Sequence, residues 1–182
     1  MINGVSSVIL LNFIYIGLLP KIFFKKDGKY NLHWWITAGP LFISPIVLLL
    51  MNLGILSPMS APIEQPAAVL STISIGLISF TLGTHRVPLA LWHQTNDAPQ
   101  SIVTWGAYKR IRHPFYTSFI LSQFAAAMAA PHIITLLALA YAISILTYTA
   151  KKEETKLSAS QYGEEYKRYM KATGRFVPKV SA

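Results

Sequence analysis

Cysteine is absent from the 182-residue chain, which excludes disulfides, thiolate metal sites and a cysteine nucleophile. Charge is scarce too: 13% of the residues are charged, with 7 acidic against 16 basic. The histidines His33, His85, His93, His113 and His132 are scattered, without a His-x-x-x-His or Glu-x-x-His spacing on one helix, so no metal centre is expected. Gly-x-Gly-x-x-Gly and phosphate-loop patterns are missing, and with them any soluble dinucleotide or nucleotide fold. Long linkers, low-complexity tracts and internal repeats are also lacking, which leaves one domain over residues 1–182.

What fills the chain is apolar. Hydrophobic residues make up 53% of it and the mean hydropathy is +0.43, values that predict an integral membrane protein. Uncharged stretches run from Met1 to Pro20, Asn31 to Ile63, Gln65 to Thr84 and Phe115 to Ala150. A helical span needs about 20 residues, so the last stretch is too long for one span. Pro131 near its middle lacks an N–H and disfavours helix in the residue before it, so Ala130-Pro131-His132 reads as a tight turn between antiparallel helices. With spans at residues 2–19, 36–56 and 67–84, the expectation is an all-α polytopic membrane protein. It has about five transmembrane helices, a C-terminal helical hairpin over 115–150 and a cytoplasmic tail over 151–182. A signal peptide is the rival reading of residues 1–19, but no basic region precedes the apolar run and Leu18-Leu19-Pro20 is a poor cleavage site.

All 16 Lys and Arg fall within residues 20–30, 86–112 and 151–179, and the alternating loops 57–66 and 130–133 hold none. The positive-inside rule then puts the N-terminus outside and the C-terminus in the cytoplasm. Trp34, Trp35, Trp92 and Trp105 lie in or beside the basic loops, as an interfacial aromatic belt would. The net charge of +9 follows from the same asymmetry, so the expected partners are anionic lipid headgroups and not nucleic acid.

Titratable chemistry gathers at both ends of the hairpin stretch. Gly106 to Tyr116 reads Gly-Ala-Tyr-Lys-Arg-Ile-Arg-His-Pro-Phe-Tyr, and Glu153-Glu154 follows the second helix. A hairpin returns both segments to one membrane surface, and Pro114 suits the first turn of the descending helix. The imidazole of His113 can carry a proton or clamp a ligand; an interfacial histidine beside a helix start is the plain alternative. The paired carboxylates can accept hydrogen bonds from ribose hydroxyls or a ligand ammonium, or they can be a solvated cluster. The tail places Leu157, Tyr162, Tyr166, Tyr169 and Met170 near one helical face, which predicts an interfacial helix ended by Gly174. Arg175-Phe176-Val177-Pro178 would fold back in extended form, offering a guanidinium fork to a ligand carboxylate.

Gly106-x-Tyr108-x-x-x-Arg112-His113-Pro114-x-Tyr116, Glu153-Glu154-x-x-Leu157, Tyr162-Gly163-Glu164-Glu165-Tyr166-x-x-Tyr169 and Arg175-Phe176-x-Pro178 together resemble the isoprenylcysteine carboxyl methyltransferase family. The likeness spans residues 106–178; the first three spans show no specific match. Phospholipid N-methyltransferases and the C-terminal halves of membrane sterol reductases look similar in this region. The resemblance implies a membrane-embedded S-adenosylmethionine-dependent methyltransferase, with the cofactor at the cytoplasmic end of the last two helices and a lipophilic acceptor arriving from the bilayer. It implies a cofactor pocket lined by Gly106, Tyr108, Arg112, His113, Pro114, Tyr116, Glu153, Glu154 and Arg175, with His113, Glu153 and Arg175 as the catalytic set. The acceptor it implies is an isoprenylcysteine-like carboxylate, with a phospholipid or small hydrophobic amine or thiol as the alternative. Ala107 stands where the family usually has Pro, and Tyr148 and Thr149 stand where many members carry Arg. An NADPH-dependent membrane reductase and a non-catalytic membrane scaffold are the competing readings from other classes.

Overall fold

The computed structural model describes residues 2–23, 25–26, 29–30, 38–84 and 102–179. Trp34, Trp35, Trp92, His33, His85, His93 and most of the basic loop after residue 85 lie outside the described residues. Among those described, six α-helices carry the fold: α1 (Gly4–Phe23), α2 (Ile43–Asn52), α3 (Glu64–Thr84), α4 (Pro114–Ala129), α5 (Ile133–Ser158) and α6 (Gly163–Ala172). A 3₁₀ turn at Gly39–Phe42 leads into α2 and another at Gly106–Lys109 precedes α4. Strand pairing among the described residues comprises a two-residue antiparallel ladder, in which Lys25 faces Tyr30 and Lys26 faces Lys29, and an isolated parallel bridge between Ile111 and Gly174.

Apart from that short ladder the described fold is built of helices, as expected, and α3 and α5 are each long and apolar enough to cross a membrane. The apolar helical segments Gly4–Leu18 and Gly39–Asn52 are shorter. Several boundaries differ from the sequence reading. The second segment stops at Asn52 instead of running to residue 56, because Gly54 adopts φ +73° and turns the chain. Helix α3 begins at Glu64, where a carboxylate suits a helix N-terminus and accepts a 2.7 Å hydrogen bond from Asn3 Nδ2. Most consequential, α5 does not end at Ala150 but continues unbroken to Ser158, so Glu153 and Glu154 belong to the helix itself.

Helix α4 sits at the centre, packed against α1, α2, α3 and α5, with α3 its most extensive neighbour. Small side chains explain the intimacy: Ala125, Ala126 and Ala130 are completely buried and let backbones approach closely. The turn between α4 and α5 forms as the sequence predicts, with Ala130 extended before Pro131. His132 caps α5, its Nδ1 accepting from the Ile134 amide at 3.2 Å while its own amide donates to Thr135 Oγ1.

Between α1, α3 and α4 the largely apolar interior includes a patch of polar side chains. Asn12, Ser71, Ser74, Ser118 and Ser122 are completely buried. Asn12 Nδ2 donates to Ser122 Oγ at 3.0 Å, and Ser74 Oγ reaches the Ser118 carbonyl at 2.8 Å, stitching α1, α3 and α4 together. Leu11, Ile14, Val69, Ile73, Phe80, Leu136, Leu137 and Ile143 face outward instead. A second polar contact repairs a break. Pro45 in α2 has no N–H to offer the carbonyl of Leu41, and Gln123 Nε2 supplies that bond at 2.6 Å while its Oε1 accepts from Ser44 at 2.6 Å.

Candidate functional site

Two apolar clusters divide the helix bundle, and the one containing Phe115, Tyr116, Phe119, Leu146 and Ala150 lies under the open end of the α4/α5 hairpin. Along α5 the buried stripe runs Ala142, Leu146, Thr149 and Ala150, then Glu154, a helical spacing that carries the carboxylate onto the face turned towards α4. Lys151, Lys152 and Lys156 occupy the exposed side. With a rise of about 1.5 Å per residue, the last two turns of α5 extend beyond a span of about 20 residues. The glutamates therefore stand at the rim of the apolar stretch.

Opposite them, the chain reaches α4 through a fixed approach. Gly106 has φ +58°, and a Cβ there would run into the side chain of Thr84 at the end of α3, so the position requires glycine twice over. The Thr84 hydroxyl also accepts from the Ala107 amide at 3.2 Å, tying the motif to α3. Pro114 occupies the first turn of α4, and His113 is its N-cap residue. Gly106 and Pro114 thus shape the backbone.

The tail folds back as the sequence predicts. After α6, the amides of Arg112 and His113 donate to the carbonyls of Gly174 and Arg175 at 2.9 and 3.0 Å, and the Gly174 amide returns a bond to the Arg110 carbonyl at 3.2 Å. Thr117 Oγ1 donates to the Phe176 carbonyl at 2.8 Å, and Tyr169 Oη to the Tyr108 carbonyl at 2.6 Å. Only glycine fits at 174, because a Cβ would overlap the Val177 carbonyl where the chain doubles back.

Between strap and hairpin, six side chains form one network. Glu154 is its anchor: Oε1 accepts from Arg112 Nε at 2.9 Å, and Oε2 from Arg175 Nη2 at 2.5 Å. Arg112 also donates through Nη1 to the carbonyls of Met170 and Thr173 at the end of α6. The Arg112 and Glu154 side chains are 10% and 8% exposed, so this is a buried ion pair, with the 30% exposed Arg175 at its edge. Burial alone would push the Glu154 carboxyl up, but His113 and the two guanidiniums outweigh it and hold the group well below the usual carboxylate range. Arg175, expected to present its fork to a ligand, spends Nε and Nη2 on Glu154.

Glu153 makes a different set of contacts. Its Oε1 accepts from the Tyr116 hydroxyl at 2.6 Å, and His113 Nδ1 lies 3.4 Å from its Oε2. The rings of His113 and Tyr116 stack in parallel with centroids 5.3 Å apart, and Phe176 meets His113 edge-on at 6.1 Å. The His113 side chain is 9% exposed, and burial lowers its pKa more than the neighbouring Glu154 carboxylate raises it. Its Nε2 is 3.3 Å from Glu154 Oε1, near enough to interact with that carboxylate, yet it completes no well-formed hydrogen bond among the described residues. A buried ring nitrogen in that state has capacity left for one more polar contact.

All the titratable residues singled out by sequence thus meet at one end of the bundle, with Tyr108 joined to the tail through its carbonyl. Burial pushes the Tyr108 phenol up, and the phenol of Tyr169 is raised to about 12, also by burial. Sequence reasoning missed Thr84, Thr117 and Tyr166. The first two act through backbone groups that no side-chain motif reveals, whereas Tyr166, 3% exposed, lay in plain sight on the apolar face of the tail helix. Among the described residues no group of three or more acidic or histidine side chains has the arrangement to hold a metal ion. The chain matches no family model and no curated protein.

Proposed function

We propose that the protein is an integral membrane methyltransferase that uses S-adenosylmethionine and modifies a lipophilic acceptor. The observation that carries this reading is the buried Nε2 of His113, with capacity left for one more polar contact, inside a cluster of Tyr116, Glu153, Glu154 and Arg175 at the open end of a helical hairpin. The residues suit that cofactor. Glu153 can accept from ribose hydroxyls or the ammonium group, His113 Nε2 from or to a polar edge, and the rings of Tyr116, His113 and Phe176 offer apolar surface to a nucleobase. Arg175, the most exposed member, stays within reach of a carboxylate while Glu154 holds it.

Methyl transfer from a sulfonium is an in-line displacement in which the protein chiefly aligns the reactants and excludes water. The tail strap suits both tasks, since it ties the motif before α4 to the end of α5. In this reading α1, the segment 39–52, α3, α4 and α5 are five spans, with the N-terminus outside and the site cytoplasmic. The outward apolar faces and the buried serine network support immersion in lipid, where helices associate through small and polar contacts.

The test is binding of S-adenosylmethionine and of NADPH to the detergent-purified protein, with Glu153→Gln alongside. Saturable binding of the sulfonium compound, weakened by the substitution, is the expected result. Binding of NADPH alone, or of neither by folded protein, would overturn the proposal.

A further inference from the structure

Helix α5 carries a second pattern on the face turned away from α4. Leu137, Ser144 and Tyr148 follow one another at helical spacings of seven and four residues, which sets them on one outward stripe. Lys151 and Lys152 extend it, three and four residues beyond Tyr148, the spacing of neighbours on a helix surface. Leu137 and Tyr148 are each 62% exposed, and both lysines are exposed. The Ser144 hydroxyl is spent inside the helix, donating to the Ala140 carbonyl at 2.8 Å, as contact with hydrocarbon requires. Lys156, four residues after Lys152, adds a third exposed ammonium.

Along the helix axis the stripe is apolar, then phenolic, then cationic. At about 1.5 Å per residue, Leu137 lies roughly 16 Å below Tyr148, while Lys151 and Lys152 stand about 4–6 Å above it. A phospholipid has the same depth profile of acyl chain, interfacial glycerol and phosphate. The helix dipole accounts for Lys156 in the last turn of α5, but Lys151 and Lys152 precede Ser158 by seven and six residues, beyond its reach. We infer that this face binds an anionic phospholipid, with its phosphate at Lys151 and Lys152 and an acyl chain along the stripe below Tyr148. The apolar run leading into the lysines favours a lipid over a free phosphate ion. Because Glu153 and Glu154 follow directly, a lipid held there sets the depth of the glutamate pair, in the headgroup layer. The inference rests on immersion of α5 in lipid and is independent of the methyltransferase reading.

The experiment titrates short-chain phosphatidylglycerol and phosphatidylcholine into full-length protein purified in an uncharged detergent, with bound lipid counted by native mass spectrometry. Phosphatidylglycerol should bind at least tenfold more tightly than phosphatidylcholine. Each lysine charge beside a lipid phosphate is worth roughly fivefold, so Lys151→Gln with Lys152→Gln should weaken phosphatidylglycerol binding by roughly 25-fold. Lys151→Arg with Lys152→Arg should retain it. Lys167→Gln with Lys171→Gln removes the same charge from the exposed side of α6 and should leave it unchanged. Equal affinity for the two lipids overturns the inference, as does unchanged binding by the α5 glutamine variant. An equal loss in the α6 variant would show diffuse attraction to a basic protein instead of a site, and displacement of the lipid by inorganic phosphate would show an ion site without a lipid; either result also overturns it. S-adenosylmethionine binding is measured separately, and its failure would sink the methyltransferase proposal while leaving the lipid site standing.

Discussion

Replacing Glu154 by Gln should damage the fold far more than the same change at Glu153. Glu154 is the counter-charge of two guanidiniums, one of which, Arg112, is only 10% exposed and directs Nη1 at the carbonyls that end α6. Removing one partner of a buried ion pair costs about 3–5 kcal/mol, since the other charge stays desolvated. Arg175 is partly solvated and adds less. For a chain of this size such a loss lowers the melting temperature by roughly 6–20 °C, at about 2–4 °C per kcal/mol. Glu153→Gln keeps an oxygen for the Tyr116 hydroxyl and leaves Arg112 and Arg175 paired with Glu154, so the part of its cost that falls on these contacts should stay within about 1 kcal/mol. The assay is thermal unfolding in detergent followed by the fluorescence of the 4 tryptophans, with limited proteolysis reporting release of the tail. Equal shifts for the two variants, or a Glu154→Gln shift below about 2 °C, would refute the assignment of Glu154 as the structural anchor.

Two further outcomes follow from the geometry. Burial lowers the His113 pKa in the fold, so below its ordinary 6.5 the unfolded chain binds more protons and stability should rise as pH climbs towards that value. The depressed Glu154 carboxyl works in the same sense lower down, its contribution complete above its ordinary 4.5 and lost as pH falls below it. Melting temperatures across this range should show the His113 portion flattened in His113→Gln; an unchanged slope would contradict it. Gln123→Leu should destabilise by about 1–3 kcal/mol, because the Leu41 carbonyl freed by Pro45 loses its replacement donor inside the bundle. A melting curve indistinguishable from wild type would mean that α2 relaxes to satisfy that carbonyl another way.

Much of the fold was legible because lipid-compatible helices announce themselves by length and composition. The hairpin turn at Pro131 followed from one missing N–H, and the return of the tail from a glycine before an Arg-Phe-x-Pro stretch. What stayed hidden depends on contacts between segments far apart in sequence. The Gln123 bond to the carbonyl freed by Pro45 joins residues 82 positions apart, and Asn12 finds Ser122 across 110. Isolated serines and an asparagine in apolar runs carry no spacing signal, yet once the helices assemble they become the buried polar contacts between α1, α3 and α4. The end of α5 was misjudged for a related reason: Lys151 to Glu154 interrupts the apolar run without interrupting the helix, since all four residues are good helix formers.

The same helical continuation separates the two glutamates, and it does so by geometry alone. Consecutive residues on an α-helix are turned by about 100°, so the two adjacent carboxylates on α5 point in different directions and share His113, 3.4 Å from Glu153 and 3.3 Å from Glu154, at the boundary between them. Glu154 turns to Arg112 and to the returning strap, Glu153 to the ring of Tyr116 on α4. Had α5 ended at Ala150, both side chains would have sat on a loop with no fixed division between them. A rigid helix therefore gives two adjacent glutamates different sets of contacts. Inserting one alanine between Lys152 and Glu153 tests the point: it rotates the pair by about 100°. The insertion should abolish the tail's protection from protease and weaken S-adenosylmethionine binding, whereas Glu153→Gln should weaken only the binding. Retention of tail protection in the insertion variant would show that the strap does not depend on where α5 points Glu154.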